Sequence, residues 1–311
     1  MKILLVGGAG YVGGAIADLL KIKHKVIVYD NLLYEENYLK PCNFVFGDIR
    51  DNKKILPYLK WADVVVWTSA LVGDGACNIN PDLTMEINVE AVKFLAKNFN
   101  KKIIFFSTCS VYGARDGILS ENSPVNPLSV YAHSKLKAEK ILENKNAIIF
   151  RLGTLFGIGD KFSRIRMDLV VNTLVAKAIY KKEITVFGGN QYRPLLHVKD
   201  VARAVDAAIK SKKRGIYNLH LKNMVIYKIA EEIKKIFKNI KVKKINMKFE
   251  DLRNYRVNSI KALKDLKFKP KFTLKYGIQE MKKILEEKRI KDIDNPRYTN
   301  QIYLKKIIEL K

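Results

Sequence analysis

The sequence predicts an α/β protein built on a doubly wound parallel sheet, and three observations carry that prediction. The first is Lys2-Ile3-Leu4-Leu5-Val6, a short apolar run of the kind a buried strand shows, followed at once by Gly7-Gly8-Ala9-Gly10-Tyr11-Val12-Gly13, a G-x-x-G-x-x-G turn. The second is the helical spacing of Ala15, Ile16, Leu19 and Leu20 directly behind that turn. The third is repetition, because apolar runs and helical patterns go on alternating down the chain, as they do when helices cover both faces of a parallel sheet.

Glycines at 7, 10 and 13 let the backbone turn tightly and approach a pyrophosphate lying on the positive N-terminus of the following helix. Gly7, Gly10, Tyr11, Val12 and Gly13 are therefore candidate dinucleotide contacts. A second strand, Lys25-Val26-Ile27-Val28-Tyr29-Asp30, ends in an acid about 20 residues on, where ribose hydroxyls are expected. Asp30 can accept hydrogen bonds from that ribose and would repel a 2′-phosphate. The adjoining Asn31-Leu32-Leu33 offers no arginine to receive one, so the expected cofactor is NAD rather than NADP.

Further strand candidates are Phe44-Val45-Phe46, Val64-Val65-Val66, Ile103-Ile104-Phe105-Phe106 and Ile148-Ile149-Phe150, with helical patterns at Glu86 to Asn98 and Ser129 to Glu143. Beyond Arg151 the alternation loosens. Helices are expected at Asp168 to Tyr180, Val201 to Lys210, Tyr227 to Phe237, Ser259 to Leu266 and Leu274 to Glu287, and strands at Ile184 to Phe187, Ile216 to Leu219 and Val242 to Ile245. The expected organisation is a Rossmann-type dinucleotide domain over 1–165, receiving segments from about 185–220, with a smaller mixed α/β substrate lobe over 166–311. The cleft between them is the expected site.

Composition bounds the function. With 311 residues, 48% of them hydrophobic, the chain can bury a large core, and no apolar stretch reaches the length of a membrane span. The expected location is the cytoplasm. Cys42, Cys77 and Cys109 lack C-x-x-C spacing, and His24, His133, His197 and His220 lack metal-ligand spacing, so neither disulfides nor a metal are expected. The formal charge of +27 raises a nucleic-acid reading, but the lysines are spread through nearly every segment and no aromatic-rich recognition motif accompanies them. A solvated lysine-biased surface that steers anionic substrates is the preferred reading.

Two stretches near strand ends carry chemistry, Phe106-Ser107-Thr108-Cys109-Ser110-Val111-Tyr112-Gly113 and Tyr131-Ala132-His133-Ser134-Lys135. On a helix Tyr131 and Lys135 share a face at i and i+4, so the ammonium can favour the phenolate and make Tyr131 a usable base.

With the glycine turn, these stretches resemble the extended short-chain dehydrogenase/reductase superfamily, in its nucleotide-sugar epimerase/dehydratase branch. Gly47-Asp48-Ile49, Arg193-Pro194-Leu195-Leu196-His197-Val198-Lys199-Asp200 and Leu266-Lys267-Phe268-Lys269-Pro270 extend the resemblance nearly end to end. It implies that Tyr131 takes a proton from a sugar hydroxyl at C4 while hydride leaves for NAD, that Lys135 also binds the nicotinamide ribose, and that Thr108 positions the reacting hydroxyl. It further implies cofactor contacts at Asn31, Asp48, Ile49 and Leu71, and substrate contacts at Val72, Cys109, Ser110, Asn172, Arg193 and Arg256, with Arg193 foremost for the diphosphate. His197 and Asp200 are expected to fix a loop and cap a helix.

Related 4,6-dehydratases carry Asp-Glu after the threonine, where this chain has Cys109-Ser110, which argues against dehydration. Cys109 is read as small packing rather than as a nucleophile. A net C4 dehydrogenase, of a kind met with GDP-heptoses or GDP-hexoses in surface-polysaccharide (capsule or lipopolysaccharide) pathways, is preferred. A 4-epimerase, a 4-ketoreductase and an NAD-binding regulatory protein are the alternatives. The resemblance also implies a homodimer, or an assembly of dimers, through helices near Glu86 to Asn98 and Ser129 to Glu143.

Overall fold

The computed structural model describes residues 1–245 and 254–309. Its first half runs β1 (Lys2–Val6), α1 (Tyr11–Leu20), β2 (Lys25–Asp30), β3 (Asn43–Phe46), α2 (Asn52–Trp61) and β4 (Val64–Trp67). Two short helices, α3 (Asp74–Ile79) and α4 (Pro81–Met85), lead into α5 (Ala91–Asn98), β5 (Lys102–Thr108), β6 (Ala114–Leu119), α6 (Val130–Leu142), β7 (Ala147–Leu152) and β8 (Thr154–Phe156). The second half holds α7 (Val170–Tyr180), β9 (Glu183–Phe187), β10 (Tyr192–His197), α8 (Val198–Lys210), β11 (Gly215–Leu219), β12 (Lys222–Val225) and α9 (Ile226–Ile236). It continues with β13 (Lys241–Ile245), β14 (Asn254–Val257), α10 (Ile260–Leu266), α11 (Leu274–Glu286) and α12 (Asn300–Glu309).

Seven strands form one parallel sheet in the order β11-β7-β5-β4-β1-β2-β3. Successive side chains alternate between two cores: Ile3, Leu5, Val64, Val66, Ile104 and Phe106 face α1 and α8, while Leu4, Val6, Val65, Trp67, Ile103 and Phe105 face the side of α2, α5 and α6. Burial on both faces is why these strands read as unbroken apolar runs. The strand order reverses at β1, which has β2 on one side and β4 on the other, so the crevice for a ligand opens beyond the carboxyl ends of β1 and β4. β11 reaches back from the second half to complete the sheet beside β7.

A separate core gathers α7, α9, α11 and parts of β9 and β10 around Val171, Val175, Ile229, Ile233, Ile278 and Met281. A small further cluster joins Tyr112 and Val111 to Tyr255 and Val257, where β6 and β14 pair in parallel. Several elements depart from the sequence expectation. Glu86–Glu90 is a wide π-type turn rather than the first turn of a regular helix, and α8 starts at Val198 because His197 caps it, its ring accepting from the Lys199 N–H at 3.2 Å. Asp200 accepts from the Lys271 and Phe272 N–H groups, holding a loop as expected. The pair β6–β14, the helices α3 and α4, and α12 have no counterpart in the sequence reading. No described helix is long and apolar enough to cross a membrane.

Candidate active site

One cavity of about 630 Å³ runs from the glycine turn to Tyr131 and on to Arg193. Its first wall is set by backbone geometry. Gly7 has φ +83°, and a Cβ at Gly13 would lie 2.1 Å from the Gly7 carbonyl oxygen, so the turn and α1 can close on each other only without a side chain there. α1 begins at Gly10 with no side-chain cap and no acid in its first turn, which keeps its positive end available to an anion. Gly7, Gly10, Tyr11, Val12 and Gly13 all line the cavity.

Asp30 stands at the end of β2, where its carboxylate accepts from the Ala9 N–H at 3.0 Å and the Leu32 N–H at 2.8 Å. Burial pushes its pKa up and those N–H groups oppose the rise. Asn31, Asp48 and Ile49 line the same end, with Asn31 donating to Asp48 at 3.2 Å and Arg50 holding the Asp48 carboxyl below its ordinary value. Leu71 is fixed through its backbone, both groups of which bond the buried Asn88 side chain at 2.8 and 3.0 Å; Asn88 also donates to Ser134 on α6 at 3.0 Å. A glycine turn that tolerates no Cβ, an acid at the second strand end and a long cavity suit a dinucleotide.

At the centre Tyr131 and Lys135 both come from α6, whose Ser129 cap accepts from the Ala132 N–H at 3.2 Å. Thr108, at the end of β5, lines the same cavity, and its hydroxyl favours the ionised form of the Tyr131 phenol. Burial outweighs every favourable contact and pushes the Tyr131 pKa well above that of a free phenol, with the nearby Asp74 and Cys77 adding to the rise. Burial also pulls the Lys135 ammonium down to about 8, beside the Phe105 ring at 4.9 Å from its centroid.

Three expected substrate contacts lie elsewhere. Cys109 is fully buried with its thiol on the Arg151 carbonyl at 3.3 Å, and burial pushes its pKa up, so it packs beneath the strand and does not reach the cavity. Asn172 is fully buried, accepting from the Gly157 N–H at 2.9 Å and donating to the Arg166 carbonyl at 3.0 Å; it fixes a loop. Arg256 lies over the Tyr192 ring at 5.0 Å, outside the cavity, because strand alternation gives the cleft side of β14 to its neighbour Tyr255.

Val72, Ser110 and Arg193 do line the cavity. Ser110 Oγ lies 3.2 Å from the Tyr255 hydroxyl, and Arg193 is 4% exposed, its Nη1 donating to the Tyr192 carbonyl at 2.9 Å and its guanidinium 5.9 Å from the centre of the Tyr255 ring. Beneath them Arg151 and Glu139 form a buried ion pair at 2.7 Å, and Arg151 reaches Tyr112 at 3.0 Å. Sequence reasoning missed Tyr34, Thr68, Arg164, Arg166 and Tyr255, all of which line the cavity. Arg164-x-Arg166 carried a signal: only 12 of the 58 basic residues are arginines, the residue type that suits buried phosphate and carboxylate partners.

The comparisons agree with this geometry. A protein of Methanocaldococcus jannaschii named "Putative UDP-glucose 4-epimerase" is 30% identical over 299 residues, covering 90% of this chain and 96% of that protein. The UDP-glucose 4-epimerase of Thermotoga maritima, solved with UDP-glucose, superposes with a TM-score of 0.82 at 21% identity, over 93% of this chain and 100% of its own, a likeness of fold. The structure of Pal from Bacillus thuringiensis gives a TM-score of 0.80 at 25% identity, over 92% and 99% of the two chains. Residues 3–219 match the model of one family, and with the glycine turn, Asp30 and the Thr108–Tyr131–Lys135 group in place the chain belongs to the NAD dependent epimerase/dehydratase family, as an enzyme that uses NAD.

Proposed function

We propose that this protein interconverts C4 epimers of a nucleotide-linked sugar through a 4-keto sugar. The observation that carries the reading is the convergence of Thr108, Tyr131 and Lys135 on the same cavity as the glycine turn. The 30% identical relative, named as a 4-epimerase, moves the preference from net oxidation to epimerisation. NAD, when bound, supplies the hydride acceptor and a positively charged ring.

Thr108 holds the sugar hydroxyl against the Tyr131 oxygen. Tyr131 then removes the hydroxyl proton at its phenolate oxygen as C4 becomes a carbonyl, and returns that proton in the reverse step. Lys135, from the next turn of the same helix, stabilises the negative charge of the phenolate. Arg193, buried against Tyr255, grips the diphosphate, for which a guanidinium fork is well shaped. Ser110 and Cys109 stand where dehydration would need an acid and a base, and Cys109 does not reach the cavity. We infer a homodimer packed through α5 and α6, acting on the cytoplasmic pool of sugar nucleotides.

The test is to incubate purified protein with NAD and UDP-, GDP- and dTDP-linked sugars, following NADH absorbance and products by NMR. A C4 epimer without net NADH supports the proposal. A 4-keto product with stoichiometric NADH would instead make the enzyme the C4 dehydrogenase that the sequence alone favoured.

A further inference from the structure

The match to the family stops at residue 219, yet the end of the chain returns to the cleft. Asn295 caps one turn, Pro296–Tyr298, after which α12 begins. Under α12, Leu304 is 1% exposed and packs with Leu71, Ala76 and Cys77. Asn300, itself 2% exposed, makes three links. Its Nδ2 donates to the Val72 carbonyl at 3.0 Å, its backbone N–H donates to Asp168 at 3.1 Å, and its Oδ1 accepts from the Arg164 guanidinium. Arg164 donates further to the Arg297 carbonyl at 2.7 Å and, through its backbone N–H, to Glu35 at 3.1 Å, while Arg297 pairs with Glu36 at 3.0 Å.

One C-terminal segment is thereby tied to the loop after β2, the loop after β4 and the loop at 160–168, which itself sits on the glycine turn through the Ser163 hydroxyl and the Ala9 carbonyl at 3.0 Å. The loops after β1, β2 and β4 are the ones that hold a dinucleotide on such a sheet. Thr299, Asn300 and Gln301 face the same cavity as Gly10, Asp30 and Tyr131. A Cβ on Gly75, in the first turn of α3, would come 2.2 Å from Gln301 Oε1, so α12 lies close on that turn.

We propose that Pro296–Glu309 is a clasp across the dinucleotide cleft and that Asn300 is its positioning residue. NAD leaves only after the Asn300 contacts open, among them a charge-assisted bond to Arg164, and after Leu304 lifts from its apolar seat. The inference rests on NAD binding and not on the choice of sugar or reaction.

The experiment measures the rate at which bound NAD exchanges for a fluorescent etheno-NAD in the NAD-loaded protein. Asn300→Ala is expected to exchange at least tenfold faster than wild type, whereas Ile302→Ala, at an exposed position of the same helix, is expected to match wild type. Equal rates for wild type and Asn300→Ala would overturn the proposal. Hydrogen exchange on the unaltered protein provides a second reading that needs no variant: saturating NAD is expected to slow exchange across 300–309, and unchanged exchange there would also overturn it.

Discussion

The two halves of the molecule line the cleft by different means. Residues 1–165 hold 21 Lys and Arg against 16 Asp and Glu, and their wall of the cleft is mostly backbone and strand-end geometry. Residues 166–311 hold 37 Lys and Arg against 15 Asp and Glu, and they line the cleft with side chains, Arg166, Arg193 and Tyr255 among them, delivered by loops and short strands. A turn that positions N–H groups suits a cofactor common to a whole family, while variable side chains on loops suit the choice of one substrate.

The largest effects are expected where the first half is disturbed. Tyr131→Phe removes the proton acceptor and is expected to lower turnover about 10³-fold, while NAD titration by fluorescence stays unchanged. Gly13→Ala forces a Cβ onto the Gly7 carbonyl oxygen and is expected to abolish NAD binding, read by the same titration. If Gly13→Ala bound NAD normally, the cleft would not depend on backbone approach at that turn.

That half was also the more legible in sequence. The turn, Asp30, Thr108, Tyr131 and Lys135 follow local spacings that a strand or helix converts directly into position. Arg164 and Arg166 come from one loop and Tyr255 from β14, far along the chain, so no local periodicity links them. Asn172, Cys109 and Arg256 were misplaced because their functions turn on side-chain direction: Cys109 points under β5 and Arg256 is one residue out of phase with Tyr255. The pair β6–β14 escaped because Ala114-Arg115-Asp116-Gly117-Ile118 is almost wholly exposed and shows no apolar alternation. α12 escaped because its apolar residues are interrupted by Lys305 and Lys306 and its burial depends on a distant loop.

Smaller effects sharpen the comparison from the second half. Arg193→Ala is expected to raise KM for the nucleotide sugar about 10- to 100-fold, the worth of a charge-assisted pair, with kcat changed much less; a fall in kcat alone would remove Arg193 from diphosphate binding. His220, buried with its ring on Ser259 at 2.7 Å, is held down to about 4 by burial, against 6.5 when unfolded. Its folded value is depressed, so its contribution to stability is full above pH 6.5 and is lost as pH falls from there towards 4. Chemical denaturation is expected to show that loss, on the order of 2 kcal/mol, and His220→Gln to remove it. The smallest effect is on steering: raising salt from about 0.01 to 0.15 M shortens the reach of the basic half, and kcat/KM is expected to fall several-fold while kcat holds.

The central claim is reversible redox chemistry at C4 with Tyr131 moving the hydroxyl proton. Its most direct test takes whichever panel sugar turns over, deuterated at C4, and follows the label by NMR in the wild type and in Tyr131→Phe. The account predicts a C4-inverted product that keeps deuterium at C4, with no inversion in the variant. Loss of the label to solvent, or inversion at an undiminished rate in Tyr131→Phe, would contradict it.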